Sequence, residues 1–322
     1  MNAPLIVFGE DWGAHPSSTQ HLIRRIAADR DVLWVNSIGM RRPRLNRADA
    51  RRAAAKLTAM ARRGGDDGSP APLATPERLR VASATAVSWP GSSIARRLNR
   101  ALIPGSLKPH LARLGERPIL WTSLPTAVDA VGQFGEQAVV YYAGDDFEGL
   151  EGVDHGPVGR MERELAAKAD LIIAASDVIA AKFPAEKTVV LTHGCDLELF
   201  STPASRADDV PGGAKVAGFY GSLADWLDYE MLQRVASLRP DWQFQFVGNV
   251  QSRSPDLAAL MALPNTRFRP AVPHAALPGY VQHWTAAILP FRDTPQIRAC
   301  NPLKLREYLA TGGRSSRRRS RR

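Results

Sequence analysis

The feature that most limits how this chain can fold is a recurring short apolar run that ends in glycine or a small polar residue. It appears as LIVFG at 5–9, then as DVLWVN, PILWTS, AVVYYAG, DLIIAAS and TVVLTHG. It returns after a polar stretch as KVAGFYGS, WQFQFVGN, a short TRFRPAV and AAILPF. Runs this short and this apolar read as strands buried on both faces, which requires a mainly parallel sheet covered by helices. The intervening segments supply those helices. Residues 18–28 place Leu22, Ile23 and Ile26 on one face, with Ser17 or Ser18 as a cap, and 158–169 space Met161, Leu165 and Lys168 for one face. DYEMLQRVASLRP and PLKLREYLA read as later helices, the last with Asn301 as N-cap and Pro302 in its first turn. The fold class is therefore α/β, with two Rossmann-like domains, the second incomplete. Their spans are 1–202 and 214–312, joined by a Pro/Gly-rich linker at 203–213.

A chain of 322 residues can carry two such cores, and its 44% hydrophobic and 23% charged content are ordinary for a globular protein. No apolar window reaches membrane-spanning length, and MNAPLIVFGEDWG has the pattern of a first strand and not of a signal peptide. Cys195 and Cys300 stand far apart without metal-type spacing, so neither a disulfide framework nor a zinc site is expected, and a cytoplasmic setting is. The net charge of +10 invites a nucleic-acid partner, but the last ten residues hold six arginines and no acid; without them the charge is +4. The body also lacks a basic stripe interleaved with aromatics, so no nucleic acid is expected. Residues 41–63 are rich in arginine and alanine and lead into GGDDGSPAPLATP. They read either as a solvated surface helix and loop or as a contact with anionic lipid headgroups, a peripheral attachment at the inner face of a membrane. The first loop does not supply G-x-G-x-x-G, because Gly9 and Gly13 are wrongly spaced, and a nicotinamide oxidoreductase loses its main support.

Three segments resemble the bacterial GT-B glycosyltransferases (family 4 or family 1-like): NPLKLREYLATG (301–312) after AAILPF, HGCDLELF (193–200), and GFYGSLADWLDYEML. GEDWGAHPSSTQHL and YYAGDDFEGL extend the likeness over most of the chain. The resemblance implies two Rossmann-like domains facing a cleft and a reaction that moves a sugar from a nucleoside-diphosphate sugar to a polysaccharide, lipid-linked or small-molecule acceptor. It implies no cofactor beyond that co-substrate and no metal. On the donor side it points to Gly221, Ser222, Asn301, Lys304 and Glu307. Lys304, in the first turn of a helix, suits the growing charge of a departing diphosphate. Glu307 resembles the glutamate that holds ribose hydroxyls, or is an exposed helix residue. Gly221 allows close approach to phosphate, or simply turns the chain.

On the acceptor side, His15 lies in the loop after the first strand and is either a catalytic group or a surface histidine. Asp145 and Asp146 follow AVVYYAG at the strand's carboxyl end, as general base, acceptor ligand or helix caps. His193 ends another strand and is a weaker candidate. The chain departs from the family in two places. Ala299 stands where Glu-x7-Glu would place its first acid, and GSLADW carries no cation, which leaves Arg298 as a second candidate for the phosphates. The anomeric outcome is therefore not carried over.

Where the family continues Gly-x-Pro-Val-Val, the chain reads GGRSSRRRSRR. One GC-rich choice of codons, read one base out of register, restores a Pro-Val-Val continuation. The tail, 313–322, is accordingly expected to be out of frame, leaving a truncated donor domain with an open sheet edge and weak activity. Two other functions fit parts of the pattern: a GT-B-fold sugar-nucleotide epimerase, which has no separate acceptor, and a nucleic-acid-binding protein relying on the arginine tail.

Overall fold

The computed structural model describes residues 2–13, 17–40, 75–114, 117–150 and 153–312. The basic segment at 41–63, His15 and the tail at 313–322 lie outside the described residues. The chain forms two compact units, 1–192 and 193–322.

In the first unit the apolar runs become parallel strands. β1 (Leu5–Phe8), β2 (Val32–Val35), β3 (Leu79–Ala82), β4 (Ile119–Thr122), β5 (Ala138–Ala143), β6 (Leu171–Ala174) and β7 (Thr188–Val190) form one sheet in the order β3-β2-β1-β4-β5-β6-β7. β1 pairs with β2 on one side and β4 on the other, so the strand order reverses there, which is where an open α/β sheet forms a ligand crevice. β1 and β2 are buried throughout. α1 (Ser18–Ile26) starts where Ser17 accepts a hydrogen bond from the Gln20 N–H, and inserts Ile23 against Leu5, Val7 and Trp34.

Two elements escaped the sequence reading. β3 buries only its ends, Leu79 and Ala82, and exposes Arg80 and Val81, so no apolar run marks it. α2 (Ser93–Leu111) contains Pro104 and Pro109, which read as breakers, yet its buried residues Ala95, Asn99, Ile103 and Leu107 keep a four-residue spacing. α3 (His155–Lys168) and the short α4 (Asp177–Ala180) complete the helices of this unit used below.

The second unit begins ten residues before the expected domain boundary. α5 (Leu197–Ser201) belongs to it because Phe200, fully buried, packs into a core with Val216, Tyr220 and Trp284. The expected linker is likewise part of this unit. Val210 is 2% exposed, and the Ala204 N–H donates to Gln282 at 2.9 Å.

β8 (Lys215–Tyr220), β9 (Trp242–Val247), β10 (Thr266–Arg269) and β11 (Ala286–Ala287) form a parallel sheet in the order β10-β9-β8-β11. β11 is much shorter than AAILPF suggested. Ile288 still donates to the Gly218 carbonyl, but regular pairing ends at Ala287. α6 (Tyr229–Leu238), capped by Asp228, and α7 (Pro255–Met261) cover one face. α8 (Pro278–Val281) and α10 (Leu303–Ala310) cover the other, and α9 (Pro295–Ala299) leads into α10. Pro302, not Asn301, occupies the N-cap position of α10, with no side-chain cap. Both cysteines are free thiols.

Candidate functional site

The donor-side candidates converge at the carboxyl end of β8. Gly221 follows that strand with φ +136°, a conformation that excludes ordinary side chains. The space a Cβ would take there is filled by the Lys304 side chain, whose Cε would clash and whose Nζ would lie 3.1 Å away. Gly248, at the end of β9 with φ +155°, in turn abuts the Gly221 carbonyl. Gly221 thus lets a lysine from α10 pack against the end of β8, beside the point between β8 and β11 where the strand order reverses, while Gly248 lets the end of β9 close onto Gly221. Burial lowers the Lys304 pKa from the ordinary value, and the Glu307 carboxylate partly opposes it. A cation held in this way gains from an anion that replaces its lost hydration.

Glu307, one turn further along α10, is 3% exposed, so it is not an exposed helix residue. One carboxylate oxygen accepts from the Tyr220 hydroxyl, and the other meets His274 Nε2 at 2.9 Å. The Tyr308 hydroxyl meets the Tyr220 N–H at 3.4 Å, and His274 stacks edge-on against Phe200 at 5.4 Å. Burial, followed by the charge of Glu307, pushes the Tyr220 pKa far above the ordinary phenol value, so the phenol stays a donor. Glu307 therefore ties together the end of β8, the segment after β10 and α10. Tyr220 and His274 were missed by the sequence reading; they lie 87 and 33 residues from Glu307, and no local spacing signals them.

Ser222 and Asn301 are half-buried beside this cluster. Arg298, the other cation considered for the phosphates, forms an exposed two-point pair with Asp293, at 2.6 and 2.7 Å. His193 falls in the second unit, where burial and then Arg306 lower its pKa.

In the first unit Asp145 and Asp146 follow β5 at the carboxyl edge, as expected, but differ in environment. Asp146 accepts from Lys182 Nζ at 2.5 Å and from the Glu148 N–H at 3.1 Å, which makes it the anchor of a turn. Lys182 also pairs with Glu148 at 3.2 Å. The Asp145 side chain has no ion-pair or hydrogen-bond partner among the described residues, and its residue surface is exposed. Desolvation by surrounding protein, then the charges of Glu10 and Asp146, raise its pKa. Glu10 is itself held after β1 by the Ser17 hydroxyl and by Gln20 Nε2 at 3.1 Å. Beneath this edge the Tyr141 hydroxyl donates to buried Glu162 at 2.5 Å.

With both sheets and their edges in place, the chain can be compared with known proteins. It resembles a sucrose-phosphate synthase from Thermosynechococcus elongatus with a TM-score of 0.64 and 16% identity, over 97% of this chain and 80% of that one. It resembles WaaG, a glycosyltransferase involved in lipopolysaccharide biosynthesis, with a TM-score of 0.59 and 13% identity over 96% and 79%. The fold is that of the GT-B glycosyltransferases.

A UDP-forming trehalose-phosphate synthase from Burkholderia xenovorans gives 0.58 and 12% over 97% and 82%. No protein-family model matches the chain. In sequence it is 27% identical, over 216 residues, to a protein of Bacillus subtilis (strain 168) named as a teichuronic acid biosynthesis glycosyltransferase, TuaH. That match spans 62% of this chain and 54% of the relative, so the chain spans about half the length of the curated protein it matches.

Proposed function

We propose that this GT-B chain transfers a sugar from a nucleoside-diphosphate donor to a glycan or lipid-linked acceptor, with no other cofactor. The observation that carries the reading is the Lys304 side chain packed over Gly221, at the reversal of strand order in the second unit. A partly dehydrated ammonium fixed there stabilises charge as it accumulates on a departing diphosphate. Glu307 acts on the donor indirectly, holding Tyr220 and hence Gly221 in place through one oxygen while the other engages His274. Asp145 is the acceptor-side base. The acceptor oxygen bonds to the anomeric carbon, its proton passes to Asp145, and the sugar–diphosphate bond breaks with its electron pair going to the nucleoside diphosphate. Asp146 is a positioning residue. The similarity to TuaH and WaaG favours a cell-surface polymer or glycolipid as the product class. No helix of the described residues is long and apolar enough to cross a membrane.

The test is titration of the 322-residue chain with a panel of nucleotide sugars and free nucleoside diphosphates. Lys304→Met is expected to weaken diphosphate binding about 10- to 100-fold, the loss of one charge-assisted contact. Unchanged affinity in that variant would remove the site from the reaction.

A further inference from the structure

Among the described strands the two sheets have four edges, and three of them are guarded. β3 exposes Arg80, β10 exposes Arg267 and Arg269 and runs into Pro270, and β11 pairs over two residues only. Charge, proline and short length are the devices that keep a sheet edge from acquiring another strand. β7, the remaining edge, has none of them along its open side. The run Thr188-Val189-Val190-Leu191-Thr192 carries no charge, and Val189, Val190 and Leu191 are 48%, 44% and 45% exposed. The adjacent cation, Lys187, is turned back onto the Ala167 and Ala169 carbonyls at 3.3 and 3.0 Å. Val178, on α4 beside this strand, adds a further exposed aliphatic group.

Backbone direction fixes which groups of β7 are open. The Leu191 N–H donates to the Ala174 carbonyl of β6 at 2.9 Å. Alternate residues of a strand direct their backbone groups to opposite sides, so Val190 and Thr192 direct theirs away from β6. The Thr188 carbonyl points the same way, while its N–H is taken by the Ala185 carbonyl.

We propose that β7 pairs antiparallel with β7 of a second copy, about a two-fold axis at Val190. The run is nearly a palindrome, so this register matches it residue for residue. Thr188 meets Thr192, Val189 meets Leu191, and Val190 meets its own counterpart. Val190 then exchanges two hydrogen bonds with that counterpart, and each Thr192 N–H reaches the Thr188 carbonyl of the second copy. Threonine pairs and β-branched pairs are favourable cross-strand neighbours, and no like charges face each other within the run. An uncharged run offers nothing to an acidic or basic partner, whereas a second copy complements it along its length. A two-fold contact uses the unguarded edge of each chain once, so assembly closes at the dimer. The interface is small, which makes the dimer reversible. Antiparallel pairing also points the carboxyl edges of the two sheets in opposite directions, which keeps the proposed base of one chain away from that of the other.

The experiment is sedimentation velocity of the full chain over a concentration series, with hydrogen exchange at its lowest and highest points. Wild type is expected to pass from monomer to dimer and no further, with exchange at the Val190 and Thr192 amides slowing in step. Val190→Lys sets two cations face to face at the axis and should weaken dimerisation about ten-fold or more. Val190→Thr, still β-branched and uncharged, should dimerise within about three-fold of wild type. Both variants should keep the wild-type Tm and nucleoside-diphosphate affinity, which separates this edge from the donor site. A wild type that stays monomeric throughout overturns the proposal. Dimerisation unaltered in Val190→Lys, or concentration-independent exchange at Val190, does so too, because the contact then lies elsewhere. Growth past the dimer would refute the two-fold register.

Discussion

The two units handle charge in opposite ways. At the carboxyl edge of the first sheet, Asp145 is unpaired among the described residues, and desolvation by the surrounding protein, then the charges of Glu10 and Asp146, raise its affinity for a proton. In the second unit, Glu307 is buried with both oxygens engaged, and Lys304 is packed along a strand end. The difference shows what each place can do. A group that must gain and lose a proton needs access to water or substrate and a displaced pKa. A group that must only hold a shape is better locked, because a buried carboxylate is tolerable only when its partners are fixed.

Breaking the first half of this contrast should have the largest effect. Asp145→Asn is expected to lower kcat about 10²- to 10⁴-fold while leaving donor affinity and Tm near wild type. The acid limb of the wild-type rate profile should lie above pH 3.8, the ordinary aspartate value, because the base works only when deprotonated and its pKa is raised. Equal turnover in wild type and the asparagine variant would return Asp145 to the role of a surface residue.

Breaking the second half should appear in stability. Glu307→Ala leaves His274 and Tyr220 facing a buried void and is expected to cost about 3 kcal/mol or more, measured by denaturant unfolding. Glu307→Gln, which can still accept and donate, should cost markedly less. If alanine and glutamine behaved alike, the junction would not depend on its hydrogen bonds.

Lys304→Met sharpens the contrast through pH. A lysine whose pKa is lowered by folding carries its full penalty below that lowered pKa, and the penalty disappears as pH rises toward 10.5, where the unfolded side chain also loses its proton. The wild type should therefore gain stability relative to the methionine variant between those two points, and a flat difference would contradict the burial of the ammonium.

The smallest effect belongs to Asp146. Lys182→Met, which frees Asp146 through a partly exposed pair, should change stability by about 1 kcal/mol or less and turnover only modestly. A collapse of turnover comparable to that of Asp145→Asn would mean that the two aspartates have been assigned the wrong way round.

Legibility followed the range of the interactions. The buried strands were legible because each is a continuous apolar run, whereas Lys304 and Glu307 were singled out by the resemblance of the 301–312 segment to a family motif and share one short helix. β3 was invisible because an edge strand can expose Arg80, and α2 because its two prolines lie where solvent can satisfy the freed carbonyls. The domain boundary moved because Phe200 chose its core, a decision made by residues tens of positions later.

From local pattern alone, the amino-acid sequence determined an α/β chain with two Rossmann-like halves. Strand periodicity and helix spacing are properties of neighbours along the chain. Tertiary structure alone decided that Glu307 is held by Tyr220 and His274, that Asp146 is committed to Lys182 while Asp145 is not, and that β7 leaves an aliphatic edge open to solvent. Burial and partnership arise only when distant segments meet, and it is these, more than residue type, that assign a charge its role.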